Sequence, residues 1–214
     1  RPFLSVGMGT CGLGNGAAEV FAALEAAVAE RGLDAAVRRV GCFGFCAAEP
    51  LVMAYRPGRP LLLFTEAKAS RAAKLAAGVA DEEAFDRLAK LAAAKIESWD
   101  FRTSALEFGA AYPFLPRWDE LPFFKGQEKI VLRDAGLIDP ESIEEYLAAG
   151  GYSGLVKAIT TMRPETVIEE VRKSKLRGRG GAGFPTWRKW ELARAAPGDL
   201  KYVVCNADEA DPGA

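Results

Sequence analysis

The apolar run Phe3 to Met8 predicts a strand, and the glycine-rich stretch Gly9 to Gly16 behind it reads as a loop. From Ala17 to Arg31 the pattern turns helical. Val20, Phe21, Leu24 and Val28 share one face, and Gly32 suits the C-cap. Ala35 to Val40 predicts a second strand, followed by the turn Gly41-Cys42-Phe43-Gly44-Phe45-Cys46. Leu51 to Tyr55 and Pro60 to Phe64 pair as a hairpin about Pro57-Gly58. Residues 1–65 thus read as a compact α/β unit of order β-α-β-turn-β-β.

Residues 66–98 are rich in Ala, Lys, Asp and Glu with Leu88, Leu91 and Ile96 as anchors, which predicts helices that begin a connection between domains. Residues 99–128 hold five Phe, two Trp and three Pro, too many aromatics for a solvated linker, so an arm wrapped on a core is expected. Ile130-Val131-Leu132 reads as a short strand. Asp139 with Pro140 behind it predicts a helix start, and Gly150 its end. Pro164 opens another helix through Leu176, with Val167, Ile168 and Val171 on one face. Thr186 to Ala195 is expected to be helical and Lys201 to Cys205 a buried strand.

Composition narrows the chemistry. Half of the 214 residues are apolar and the formal net charge is −1, with no basic stripe interleaved with aromatics, so no nucleic-acid partner is expected. The apolar runs are far too short to span a bilayer, and no signal peptide is read. The chain begins at Arg1, which points to a piece of something longer. Histidine is absent, which excludes His-based acid–base chemistry and His metal ligands. The four cysteines, Cys11, Cys42, Cys46 and Cys205, suit a reducing cytoplasm better than a disulfide scaffold, and Cys205 reads as a core residue of its strand.

The densest chemistry lies in Arg177-Gly178-Arg179-Gly180-Gly181-Ala182-Gly183-Phe184-Pro185-Thr186. Gly178, Gly180, Gly181 and Gly183 let the backbone approach a ligand, and the helix start beyond them is a seat for phosphate. Arg177, Arg179 and Lys189 add charge, and Phe184 can stack on a planar ring. Taken alone, such a loop is equally a tight turn between helices. It is neither a Rossmann fingerprint nor a P-loop. Asn206, Asp208, Glu209 and Asp211 follow the expected strand and can hydrogen-bond ribityl or ribose hydroxyls, or else form a solvated acidic turn.

Together, the string Leu176 to Thr186 with Lys189-Trp190 and the string Tyr202 to Glu209 resemble the NADH-binding flavoprotein subunit of respiratory complex I. Its relatives occur in NAD-linked hydrogenases and formate dehydrogenases. Pro122-Phe123-Phe124-Lys125 to Arg133, Ile138-Asp139-Pro140 and Gly150-Gly151-Tyr152 carry the same resemblance. It implies that FMN and NAD(H) share one cavity, with Gly178, Arg179, Gly180, Gly181, Gly183, Phe184 and Lys189 toward the phosphates and flavin. Asn206, Asp208 and Glu209 would hold the flavin and nicotinamide side. Hydride would pass to the flavin, and no side chain would be catalytic in its own right. Trp187, Leu192 and Asp211 depart from the family pattern, which touches nucleotide affinity and the choice of NADH or NADPH.

Cys11 with Cys42-x3-Cys46 resembles a thioredoxin-like [2Fe-2S] ferredoxin fused ahead of such flavoproteins. The resemblance implies four thiolate ligands, yet position 16, where the fourth is expected, is Gly16. Three outcomes stand open: a cluster on Cys11, Cys42, Cys46 and one other ligand, a domain without a cluster, or a dithiol pair at Cys42 and Cys46.

The expected architecture is α/β, a thioredoxin-like ferredoxin domain over 1–78, a helical and extended connector over 79–114, and the first part of an FMN/NADH-binding domain over 115–214. The family continues past position 214 and adds a [4Fe-4S] cluster there, so the piece alone is not expected to be fully active. The expected function is a cytoplasmic diaphorase subunit, peripheral to any membrane complex, that partners other subunits of a hydrogenase, formate dehydrogenase or other reductase. The alternative is a truncated, non-catalytic scaffold.

Overall fold

A computed structural model describes residues 1–100, 105–130, 132–179 and 182–204. They form two compact units, Arg1–Gly150 and the part from Gly151 onward. The first unit begins with β1 (Phe3–Gly7), a short helix α1 (Thr10–Gly14), α2 (Ala17–Glu30) and β2 (Ala36–Val40). The hairpin β3 (Val52–Tyr55) and β4 (Leu61–Phe64) follows, then α3 (Ala72–Ala80), α4 (Glu82–Ala89) and β5 (Ala94–Ile96). The strands form one sheet in the order β2-β1-β3-β4-β5. β1 and β2 are parallel because α2 crosses between them; the other pairs are antiparallel.

Alternate residues divide between two cores. Leu4, Val6, Val52, Ala54, Leu62 and Phe64 meet Phe21 and Leu24 of α2, Leu75 and Val79 of α3, and Phe85 and Leu88 of α4. Met53, Leu61 and Leu63 face the other way, toward Phe43, Ile96, Trp99 and Phe124. With both faces buried, β4 reads as an unbroken apolar run rather than an alternating one.

The second face is covered by the aromatic arm, as its composition implied. A small ribbon, β6 (Ser98–Asp100) and β7 (Ala105–Glu107), starts it. Trp99, Trp118 and Phe124 then pack around Phe43 with ring centroids 5.2–5.7 Å from it. Such tilted and edge-on pairs are the favoured aromatic geometries.

Several local expectations are corrected. The stretch 9–16 is not all loop, since it holds α1. Residues 66–98 do not stay helical: Ala94 and Ile96 are fully buried and pair with Leu63 and Leu61, closing the open edge of β4. α4 and β5 therefore lie in the core of the first unit, inside the stretch expected to act as a connector. Ile130 and Leu132 are exposed turn residues, not a strand. The helix expected from Pro140 starts later, as α5 (Ile143–Ala148), because Asp139 turns back to accept from Glu141 N while Ser142 caps Glu145 N.

The second unit contains α6 (Ser153–Thr161), α7 (Pro164–Ser174) and α8 (Thr186–Ala195). α7 stops two residues short of Leu176 because Lys175 adopts a left-handed cap, φ +57°. Lys201 to Val204 forms no strand and is not buried: Tyr202, Val203 and Val204 are 78%, 85% and 88% exposed. No described strand lies beside this run to pair with it. Cys205 lies outside the described residues.

Candidate nucleotide and thiol sites

The glycine loop is closed at its neck. Gly178 N donates to Phe184 O at 2.9 Å and Thr186 N to Leu176 O at 3.1 Å, an antiparallel bridge about Arg177 and Pro185. Gly183 holds φ +64° with open space where a side chain would stand. The chain then enters α8 with no side-chain cap on its first turn, leaving the helix end available to an anion. Arg177, Arg179 and Lys189 are exposed, and Phe184 is 41% exposed. Of the residues expected to hold nucleotide and flavin, the structure describes Gly178, Arg179, Gly183, Phe184 and Lys189. Gly180, Gly181, Asn206, Asp208 and Glu209, together with the divergent Asp211, lie outside the described residues.

In the second unit an open groove of about 1310 Å³ is lined by Ile159, Ile168, Lys189, Trp190, Tyr202 and Val204, among others. Trp187 turns elsewhere. The Arg172 guanidinium sits 4.3 Å from its ring centroid and also bonds Glu191, so Trp187 serves the α7–α8 contact.

The thiols gather at one edge of the sheet in the first unit. β1 and β2 are parallel, so the loops after them emerge together, and the close approach needs glycine: a Cβ on Gly9 would stand 2.7 Å from Cys42 Cβ. Cys42 Sγ lies 3.9 Å from Cys46 Sγ and accepts from Gly44 N at 3.2 Å. The neighbouring Cys11 thiol, burial and the Cys42 thiol push Cys46 up to about 12. Cys11, Cys42 and Cys46 are free, not disulfide-bonded. Among the described residues no group of three or more His, Cys, Asp or Glu side chains could hold a metal ion.

A four-thiolate cluster is not completed by these residues. Gly16 caps α2 with φ +91°, and the atom nearest a Cβ there is the Oε2 of the flexible Glu19 side chain at 2.6 Å. Two neighbours of the site escaped the sequence reading. Glu49 is 6% exposed; Leu51 N donates to its Oε2 at 2.6 Å, and its Oε1 lies 3.9 Å from Cys42 Sγ. Burial raises its carboxyl above the usual range against those two bonds. Lys129 donates to Phe43 O beneath the rings of Phe43, Trp99, Trp118 and Phe124, and burial lowers it to about 8. A Glu immediately before the run Pro50-Leu51-Val52 was the one available signal for Glu49. Lys129 had none, because its box is assembled from positions 43 to 124.

Comparison with known proteins supports the reading of the C-terminal part. Residues 171–214 match the family model described as the Nuo51 FMN-binding domain. The chain is 56% identical over 88 residues to the NADP-reducing hydrogenase subunit HndC of Solidesulfovibrio fructosivorans, covering 41% of this chain and 18% of that protein. It is 47% identical over 103 residues to the NADH-quinone oxidoreductase F subunit of Aquifex aeolicus, covering 48% and 23%. It is 60% identical over 52 residues to the NAD-reducing hydrogenase HoxS subunit alpha of Cupriavidus necator, covering 24% and 9%. The chain spans less than a quarter of the length of these relatives. A solved structure, a thioredoxin-like [2Fe-2S] ferredoxin from Aquifex aeolicus, aligns with TM-score 0.35 and 16% identity over 44% of this chain and 91% of that one. Over residues 171–214 the chain is similar in sequence to the Nuo51 FMN-binding domain, and parts of it are similar to NADH-quinone oxidoreductase F subunits and to NAD- or NADP-reducing hydrogenase subunits.

Proposed function

We propose that this chain is part of the electron-input flavoprotein of a multi-subunit redox complex, where it helps hold FMN and NAD(H) for hydride transfer. The observation that carries the reading is the closed glycine loop opening onto the uncapped start of α8, inside the stretch that matches an FMN-binding family. The described residues fit an anionic, planar ligand. Gly183 leaves room for close backbone approach, Arg177, Arg179 and Lys189 offer exposed cations, and Phe184 offers a ring face. Gly178, Gly180 and Gly181 extend the same loop, and Asn206, Asp208 and Glu209 are assigned to ring and hydroxyl contacts.

Bound FMN supplies hydride acceptance and single-electron release, which no side chain here can provide. The chain's own part is placement: the helix end and cations neutralise phosphate, and Phe184 shields one side of a ring from water. The partners are other subunits of a hydrogenase, formate dehydrogenase or other reductase, in the cytoplasm or at a membrane surface. Among the described residues no helix is long and apolar enough to cross a membrane.

The test uses the full-length protein that contains this chain. It should bind FMN with quenched flavin fluorescence and bleach anaerobically with NADH or NADPH. Lys189→Ala and Arg179→Ala should each weaken FMN or nucleotide binding about tenfold, the loss of about 1.4 kcal/mol. A correctly folded full-length protein that binds no flavin overturns the reading.

A further inference from the structure

The seam between α3 and α4 is low because its residues are short. Ala73, Ala77, Gly78 and Ala84 line it. A Cβ on Gly78 would stand 2.2 Å from Leu88 Cδ1, so the two helices meet there with no large side chain between them. Together with Leu88 and the half-exposed Leu91, these residues floor an open groove of about 740 Å³ in the first unit. Every charged residue that lines it is an exposed cation: Arg31, Lys74, Arg87 and Lys90. Arg71 lines a small adjoining cavity that shares Lys74, Leu88 and Leu91 with the groove. The chain as a whole carries a formal net charge of −1, so its charges are segregated here rather than in excess.

Helix electrostatics account for only half of these cations. Arg31 and Lys90 stand at the C-terminal ends of α2 and α4, where positive charge is favoured. Arg71 and Lys74 stand at the N-cap and in the first turn of α3, the positive end of that helix, with no acidic residue in the turn. Arg87 pairs with Glu83 at 3.7 Å, but both side chains are largely exposed and such a contact is weak in water. Among the described residues Arg31, Arg71, Lys74 and Lys90 form no ion pair. Like charges gathered around one concave face repel one another and focus a positive potential on it. A counter-charge brought from outside relieves that repulsion.

We propose that this groove is the docking surface for an acidic amphipathic helix of a partner protein. The helix lays apolar residues three and four apart onto Leu88, Leu91 and the alanines of α3. Its flanking Asp and Glu side chains meet Arg31, Arg71, Lys74, Arg87 and Lys90. Charge complementarity selects the sign of the partner, and the concave aliphatic floor selects its kind. A nucleic acid would want ring faces for its bases, and no Phe, Tyr or Trp is among the described residues lining the groove. A lipid surface is entered by an apolar face that protrudes, not by one sunk between cations. The groove lies wholly in the first unit, so the proposal does not depend on the flavin reading.

The probe is a stapled helical peptide with Leu at i, i+3, i+4 and i+7 and Glu elsewhere, carrying an uncharged fluorophore. A twin peptide has Gln in place of every Glu. Fluorescence anisotropy with the 214-residue chain at about 0.1 M salt should show saturable one-to-one binding of the Glu peptide with a micromolar Kd. The Gln twin should bind about tenfold more weakly, and so should the Glu peptide to the Lys74→Glu, Arg87→Glu double variant. The pair Lys125→Glu, Lys157→Glu makes the same change in net charge away from the groove and should leave binding unchanged. Lys74→Glu alone puts the favoured sign at the start of α3, so it should melt no earlier than the parent while binding less. Circular dichroism screens every variant for folding; should the double variant fail to fold, Lys74→Gln with Lys90→Gln replaces it and should also weaken the Glu peptide. The proposal is overturned by any of three results. One is no saturable binding of the Glu peptide below about 1 mM. Another is binding that the groove variants and the control pair change equally. The third is tighter binding to phosphatidylserine vesicles or to duplex DNA than to the peptide, lost in the same groove variants.

Discussion

Removing the Phe124 ring tests whether the aromatic arm is core or wrapping. Phe124 is 1% exposed and lies 5.2 Å from Phe43, 5.3 Å from Phe45 and 5.2 Å from Trp118 between ring centroids. Truncating a buried Phe to Ala costs about 3–5 kcal/mol, and edge-on pairs with these three rings and with Phe123 favour the upper half of that range. A unit of this size has a total stability of about 5–15 kcal/mol. With a urea dependence of about 2 kcal/mol per molar, Phe124→Ala should lower the unfolding midpoint by about 2 M. Unfolding of the first unit can be followed by Trp99 and Trp118 fluorescence in a Trp187→Phe, Trp190→Phe background, since the chain has four Trp. Phe114→Ala, at a ring 60% exposed, is the control and should shift the midpoint by less than about 0.3 M. If Phe124→Ala shifts no more than the control, the arm is not part of the folded core and the account of the second sheet face fails.

Three further outcomes are expected. Ser142→Ala removes the cap on Glu145 N and should cost about 1 kcal/mol, read as a lower urea midpoint. The Asp86 carboxyl is held below its ordinary value by the Tyr112 hydroxyl and then by Arg59. Its folded value being depressed, its stabilisation is present above the unfolded value and is lost as pH falls through the folded one. Melting curves of Asp86→Asn should therefore lie below the parent at pH 6 and converge with it in the acid range below about 4. Gly183→Val places a β-branched residue at φ +64°, a conformation costing about 1–2 kcal/mol; amide exchange over residues 176–186 should accelerate while that of β4 is unchanged.

What the sequence revealed depended on how local each signal was. α2 and the β3–β4 hairpin were legible because period, cap and turn lie within a few residues of one another. α8 was read to its ends from Thr186 to Ala195. β5 was not legible: Ala94-Lys95-Ile96 is too short to show a period, and only the open edge of β4 makes it a strand. The run Lys201 to Val204 failed in the opposite sense, since its strand propensity meets no described strand to pair with. For the sites, the glycine loop and the cysteines were visible as types and spacings. Glu49 and Lys129 were not, because their roles arise from burial and from residues distant in sequence.

The arm also defines what can be inherited as a piece. The sheet's second face, Met53, Leu61 and Leu63, is kept dry by Trp99, Trp118 and Phe124, all beyond β5, the sheet's last strand in the chain. A recombination event joining the sheet alone, cut near residue 97, to another gene would hand its host an uncovered apolar surface, which favours self-association. The transferable module therefore runs at least through Phe124, and fusions that keep the sheet should be found to keep the arm's aromatic positions with it.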